Sequence, residues 1–407
     1  MKYISHFLGK QVHFRKKRQG VLKDWIMTAS PSQAVLSGLV IEDAVGSERA
    51  ITMADVESLG LRTVHLRKPL AECALMTLAD GALLLAEHIL DKQVVDTRKK
   101  KVYRVNDIEV QEEQNHYLVR WVDAGLTGLL GRLGVPEALQ PKAGRLQRRI
   151  AWADVEPLDP DLKSNFAKLS KLHPADIADI VEELGVTQGA DLLERLDDET
   201  AAGALTEVEP AMQSDIVGEI KPADAADIIE EMEPDDAADL ISDLPQDTAR
   251  RIMNEMESEE KAEVQELLQY LEDSAGGIMN NEYLSVTTGQ TVEQVLTKFR
   301  EDKPEPEVAY NLIVTEGHGK LAGVLSLRDL VVSPPQAVID GLLSPDSPSV
   351  GPGTSLAEVA DLFSKYDLVL LPVVDGQNRV LGVITVDDVI ELIVPKQWKR
   401  SHRKRML

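Results

Sequence analysis

Three apolar columns recur every twelve residues through the middle of the chain. Ala178, Ala190, Ala202, Ser214, Ala226, Ala238, Arg250 and Ala262 form a mostly small column. Ile180, Leu192, Ala204, Ile216, Ile228, Leu240, Ile252 and Val264 form a larger one, and Leu184, Leu196, Val208, Ile220, Met232, Leu244, Met256 and Leu268 close each unit. These offsets put one apolar stripe on a short helix, and Pro174, Pro210, Pro222 and Pro234 stand where a first helical turn tolerates proline. The pattern predicts eight short helices over 163–272. One continuous helix would lose roughly 3 kcal/mol at each interior proline, and its stripe would rotate off any single face. The helices should therefore stack, with a right-handed superhelix as the expected sense.

On either side the period changes. Upstream, Leu8-Gly9-Lys10-Gln11-Val12 is echoed by Leu90-Asp91-Lys92-Gln93-Val94, and Lys23-Asp24-Trp25-Ile26 by Asn106-Asp107-Ile108-Glu109. The segment from Ile51 to Leu59 returns as Ile150 to Leu158. Alternation at Leu36, Gly38, Val40 and at Leu118, Arg120, Val122 reads as strand, so the duplication predicts two small β-barrels at 1–72 and 73–162. These segments resemble PRC-barrel domains over about 4–62 and 84–160. Extra residues around Gly125, Gly128, Gly131 and Gly134 read as a helical turn closing the second barrel, since no lysine and hydroxyl frame them as a phosphate loop. Downstream, Leu321–Leu330 and Val380–Val389 repeat a buried strand running into a helix, with Leu371-Pro372-Val373-Val374-Asp375 as a further strand. Residues 273–395 resemble a tandem CBS pair, with modules at Val286–Val332 and Ser349–Ile393. The expected fold class is multidomain α+β: two small β-barrels, an all-α superhelix of short 12-residue helical repeats and an α/β tandem CBS pair, ending in a basic tail at 396–407.

Charge sharpens the picture of the middle segment. Residues 173–273 hold 31 acidic and 5 basic side chains, a net of −26, against −25 for all 407 residues. So dense a set of carboxylates on a regular apolar repeat calls for neutralising cations. Acidic pairs three or four apart present half-sites for magnesium, which takes one or two carboxylates and keeps several waters: Asp224 with Asp227, Asp235 and Asp236 with Asp239, and Asp239 with Asp243. Each like-charge pair costs an isolated helix about 0.2–0.5 kcal/mol, which divalent binding would relieve. The one cysteine, Cys73, has no partner for a disulfide or a thiolate metal pair, which agrees with a reducing cytosol. Met1–Lys10 lacks a signal-peptide pattern, and the most apolar stretch, Leu75–Leu90, contains Asp80, Glu87 and His88, so no transmembrane segment is expected. The eight histidines are scattered, and no nucleophile–base constellation stands out, which argues against an enzyme.

The acidic array joined through Gly276-Gly277-Ile278-Met279 to a CBS pair resembles the cytosolic half of the MgtE family of magnesium transporters, over about residues 165–394. That resemblance implies a helical domain and a CBS pair that sense intracellular Mg2+, a homodimer formed through the CBS pair, and metal held between the two. Asp387, Asp388 and Glu391 would then form the opposite wall of the site. It further implies an adenine nucleotide at Ser326 with Asp329 and Thr385 with Asp388, the hydroxyl near phosphate and the carboxylate on ribose. The same spacing is also a helix-capping arrangement that needs no ligand.

The expectation is a cytoplasmic, magnesium-responsive regulatory protein acting on an unidentified protein or a membrane transport partner. Lys396, Lys399, Arg400, Arg403, Lys404 and Arg405 in the tail would allow a peripheral place at the inner face of the membrane. Rival readings are the detached gating subunit of a magnesium channel, a barrel adaptor, and an adenine-nucleotide sensor. Nucleic acid is not an expected partner, because the acidic middle would repel a phosphate backbone.

Overall fold

The computed structural model describes residues 2–393 apart from 30–33, 61–62, 78–81, 114–115, 126–129, 131–147, 160–165, 167, 303–309 and 344–346. All but Gly125 and Leu130 of the glycine-leucine stretch, and the whole basic tail, lie outside the described residues. The chain forms two compact units, Met1–Ile220 and Lys221–Leu407. Their boundary falls inside the helical array rather than at either end of it.

In the first unit both copies of the duplication form strands, but they do so in one shared body. Eleven strands make a single curled sheet, with Leu118 of the second copy paired to Val35 of the first. The strand Gln93–Asp96 sits between Lys101–Arg104 and Val155–Pro157 in a smaller sheet of three. One apolar core runs from Ile4 to Val155 around Trp25, whose ring meets Phe7 edge-on at 5.5 Å.

Each copy lends its opening strand to the other. Lys2 and Tyr3 pair with Val110 and Glu109 of the second copy, while Ala82–Leu84 pairs with Ile26–Thr28 of the first. A buried aspartate locks each exchange. Asp24 accepts N–H groups of Ala86 at 2.7 Å and Glu87 at 3.0 Å. Its counterpart Asp107 accepts the Ser5 N–H at 3.3 Å and the Ser5 hydroxyl. Burial raises both carboxyls above their ordinary pKa, and the hydrogen bonds oppose that rise. The 72/73 division therefore separates the repeats in sequence but not in the fold.

Among the described residues the array forms eight helices, as its period predicts: α1 Pro174–Leu184, α2 Val186–Leu193, α3 Asp198–Thr206, α4 Pro210–Glu219, α5 Pro222–Glu230, α6 Pro234–Asp243, α7 Gln246–Glu255 and α8 Ser258–Leu267. Proline occupies the first helical turn of α1, α4, α5 and α6, where its missing N–H costs nothing. The larger column is buried in every helix, from Ile180 in α1 to Val264 in α8, whereas Arg250 and Ala262 of the small column and Leu268 of the closing one are exposed. Helix α1 also leans on the second barrel: Lys100 Nζ lies 2.6 Å from Asp176 Oδ2, and Glu183 Oε2 accepts the Val102 N–H at 3.0 Å.

The second unit carries α5–α8 and the CBS pair. In the first module Ser285–Thr287 runs parallel to Asn311–Glu316, which pairs antiparallel with Lys320–Ser326 and leads into helix Leu327–Val332. The second module repeats this with Leu370–Val374, Val380–Thr385 and helix Val386–Ile393. Ile313, Leu370 and Val383 pack together across the modules. Gly382 lies inside its strand opposite Val373. A Cβ there would come within 2.6 Å of the Asn280 carbonyl, and Asn280 bonds in both directions to Val383 on that strand.

Candidate functional site

Two helix starts, 150 residues apart in sequence, bring their acids together in the second unit. Pro234 opens α6 and places Asp235 and Asp236 in its first turn. Thr385 precedes the last CBS helix, whose first turn holds Asp387 and Asp388. Each placement is locally favourable, because carboxylates complement the positive end of a helix dipole. Thr385 Oγ1 lies 2.8 Å from Asp388 Oδ2 and 2.5 Å from Asp387 Oδ1, and its N–H donates to Asp388 at 2.8 Å.

Asp235 is the unusual group. Only 9% of it is exposed, and among the described residues its Oδ1 has no hydrogen-bond partner. Burial holds its carboxyl well above the ordinary range, and the charges of Asp388, Asp236 and Glu233 push in the same direction. An ionised carboxylate in that setting wants a cation.

One turn further along α6, Asp239 meets Glu272 and Asp243. Desolvation and those two charges raise its carboxyl to about 6. Asp239 stays exposed to solvent, so salt screens part of that rise. Ser242 Oγ donates to Glu272 at 3.1 Å, and Asn280 Nδ2 donates to Glu233 at 2.7 Å.

Not every expected carboxylate joins this cluster. Asp224 pairs with Lys221 at 3.1 Å. Asp227 is exposed, beside Glu230, whose carboxyl accepts the Glu257 N–H at 2.5 Å. The Glu391 side chain lies outside the described residues. Conversely Glu272 and Asn280 belong to the neighbourhood but follow no acidic-pair spacing, so no sequence signal short of the fold picks them out; Glu233, three residues before Asp236, has that spacing but lies outside the pairs named above. Among the described residues no three acidic, histidine or cysteine side chains are grouped as a ready-made metal cage. The arrangement is one of opposed carboxylate pairs, which suits an ion that keeps most of its waters.

The two Ser/Thr-x-x-Asp elements both cap their helices, through different halves of a capping box. Ser326 Oγ accepts the Asp329 N–H at 3.1 Å, Asp388 Oδ2 accepts the Thr385 N–H at 2.8 Å, and in each the hydroxyl lies 2.8 Å from the aspartate Oδ2. Their surroundings differ. Ser326 opens onto a groove of about 450 Å³ lined by Tyr310, Asn311, Leu327, Arg328 and Val369 among others, whereas Asp388 faces the acids of α6.

Residues 172–273 match the MgtE intracellular N domain, and residues 275–333 and 339–395 match the CBS domain. The magnesium transporter MgtE of Thermus thermophilus is 41% identical over 143 residues, covering 35% of this chain and 32% of that protein. The chain thus spans about a third of the length of that curated relative. A crystal structure of the cytosolic domain of the Mg2+ channel MgtE in complex with ATP superposes with a TM-score of 0.53 at 35% identity, covering 55% of this chain and 92% of that one. The soluble part of a magnesium transporter gives the same TM-score at 30% identity, covering 56% and 90%. Among the described residues no helix is long and apolar enough to cross a membrane. Helical array, CBS pair and the order in which they follow one another all coincide with those relatives, and through residues 172–395 the chain belongs to the MgtE family, with the architecture of its cytosolic part.

Proposed function

We propose that the chain is a cytoplasmic magnesium-responsive regulator in which the last four helices of the array close on the CBS pair when Mg2+ bridges them. The observation that carries this reading is Asp235, buried with an unpartnered oxygen and facing Asp388. Asp235 and Asp388 would supply direct or water-mediated ligands, with Asp236, Asp239 and Asp243 as a second acidic patch along the same helix. Asp224 and Asp227 remain outer carboxylates, and Asp387 supports Asp388 through the shared Thr385 hydroxyl. Without the cation, the opposed carboxylates repel and the contact opens. Sites responding at about millimolar Mg2+ are worth only roughly 4 kcal/mol each at a 1 M standard state, so several must act on one equilibrium.

Small-angle scattering of EDTA-stripped protein tests this, with Mg2+ titrated against NaCl at matched ionic strength. Compaction in the millimolar range with Mg2+ but not with Na+ is expected. Equal compaction by both salts would reduce the effect to screening and sink the proposal.

The exposed apolar residues Val331, Val332 and Ile390 on the two CBS helices, 66%, 66% and 52% exposed, support a homodimer through the CBS pair. The relatives are transporters, so the partner we propose is a membrane transport subunit that the regulator gates from the cytoplasmic side.

A second reading concerns adenine nucleotide. The groove at Ser326 offers an aromatic ring at Tyr310 and a cation at Arg328 beside a helix start, a combination that suits a base and phosphate. We propose that this element, rather than Thr385–Asp388, takes the nucleotide. ATP or AMP should raise the melting temperature of the intact protein and lose that effect in Asp329→Asn. A ligand shift that survives Asp329→Asn and vanishes in Asp388→Asn would reverse the assignment.

A further inference from the structure

The two copies of the duplicated barrel each carry a basic hairpin, and among the described residues only the second meets an acidic helix. In the second copy, strands Gln93–Asp96 and Lys101–Arg104 are joined through Arg98, Lys99 and Lys100, with Lys100 in the left-handed region at φ 55°. That hairpin docks an acidic helix. Lys100 pairs with Asp176 and the Val102 N–H reaches Glu183, two carboxylates seven residues, or two turns, apart on one face of α1.

In the first copy the equivalent hairpin joins Gln11–Phe14 to the strand beginning at Lys17, closing at Phe14 opposite Lys17. Arg15, Lys16, Lys17 and Arg18 are consecutive and exposed. No ion pair involves them or Lys10 among the described residues. Arg15 sits at φ 53°, a conformation that favours Gly or Asn, yet the chain places a cation there. The neighbouring strand Ala34–Asp43 ends opposite Gly20, so Lys17–Gln19 run past it, as an edge would for docking.

We propose that the first hairpin binds an acidic helix of a second copy of this chain, and that the helix is α8. Its twin defines the ligand chemistry: carboxylates seven apart on one helical face. Besides α1, that spacing occurs within α6, at Asp236 and Asp243, and within α8, at Glu259 and Glu266. The α6 pair belongs to the acidic neighbourhood of the candidate metal site. Glu259 and Glu266 are both exposed and have no salt bridge among the described residues. A second copy also answers the charge balance, since two arrays of net −26 repel unless each meets a cationic patch. A two-fold pair would make the contact twice, hairpin to helix and helix to hairpin. Single-stranded RNA is a poorer fit, because the tip's one aromatic, Phe14, is covered by the Arg15 guanidinium 5.2 Å from its ring centre and offers no free stacking face.

The test uses the full chain, mixing unlabelled and 15N-labelled protein and coupling touching amine–carboxylate pairs with a zero-length carbodiimide. Isotopically mixed peptides joining Lys16 or Lys17 to Glu259 or Glu266 are expected. Their yield should fall about tenfold in Lys16→Glu/Lys17→Glu, at an unchanged melting temperature. Mixing that variant with a Glu259→Lys/Glu266→Lys partner should restore coupling between the reversed positions. The proposal is overturned if those mixed peptides are missing, if the links form only within one copy, or if the charge swap fails to restore them. It is overturned equally if the hairpin variant loses affinity for a single-stranded RNA or for anionic phosphatidylglycerol vesicles while the helix links persist. Dimerisation through the CBS pair does not enter this readout, so either proposal can fail alone.

Discussion

Asp235→Asn should stabilise the metal-free protein and abolish its specific response to magnesium. In EDTA at about pH 8 the closed contact has to bury an ionised carboxylate that has an unpartnered oxygen and faces other acids. Replacing it by a neutral isostere removes that electrostatic cost, and a gain of about 1–3 kcal/mol in urea or thermal unfolding is expected. The same substitution removes a proposed ligand, so millimolar Mg2+ should add no more stability than NaCl of equal ionic strength. Asp227→Asn, at an exposed position, should change either quantity by less than about 0.5 kcal/mol. Loss of stability in EDTA together with a retained magnesium response would mean that Asp235 is a structural acid and that the ion binds elsewhere.

The pH dependence should run opposite to ordinary acid denaturation. Asp239 holds its proton up to about pH 6 in the fold, against an ordinary value of 3.8, and Asp235 is raised as well. The folded state therefore binds more protons than the unfolded chain across that interval, and stability in EDTA rises as pH falls from above about 6 towards about 4. Asp235, shifted in the same direction, adds to that dependence. Protons and Mg2+ compete for the same oxygens, so the stabilisation by Mg2+ should be largest above about pH 7 and shrink through about pH 6 to 5. Thermal melts with and without Mg2+ across that range check both slopes. A magnesium increment independent of pH would place the ion away from these carboxylates.

The eight helices of the array were legible because their evidence is local. A twelve-residue apolar period and prolines at helix starts specify short helices whatever they pack against. The duplication was equally plain, down to the Asp24 and Asp107 counterparts. What it concealed was the exchange of Lys2–Tyr3 and Ala82–Leu84 between copies, strands too short to show a period and paired only by tertiary contact. The site divided in the same way. Pro222-Ala223-Asp224-Ala225-Ala226-Asp227 and Pro234-Asp235-Asp236-Ala237-Ala238-Asp239 read alike except that Asp235 replaces Ala223; Asp224 pairs with Lys221, while Asp235 is buried and senses the charge of Asp388. Spacing along one helix reports which acids share a face, and the fold decides which face finds an opposing wall. Glu272 and Asn280 arrive by that second route.

The exchanged strands also set an order of events during synthesis. Lys2 must remain unpaired until Val110 has emerged, more than a hundred residues later, which at about 5–20 residues per second is on the order of 5–20 s. Over part of the same interval the edge at Ile26–Thr28 stays open until Ala82–Leu84 arrives to cover it. Neither repeat can finish as a nascent chain alone, and each closes only when a strand of the other arrives across a long loop. A segment that began as two copies is thereby committed to being made, folded and retained as one.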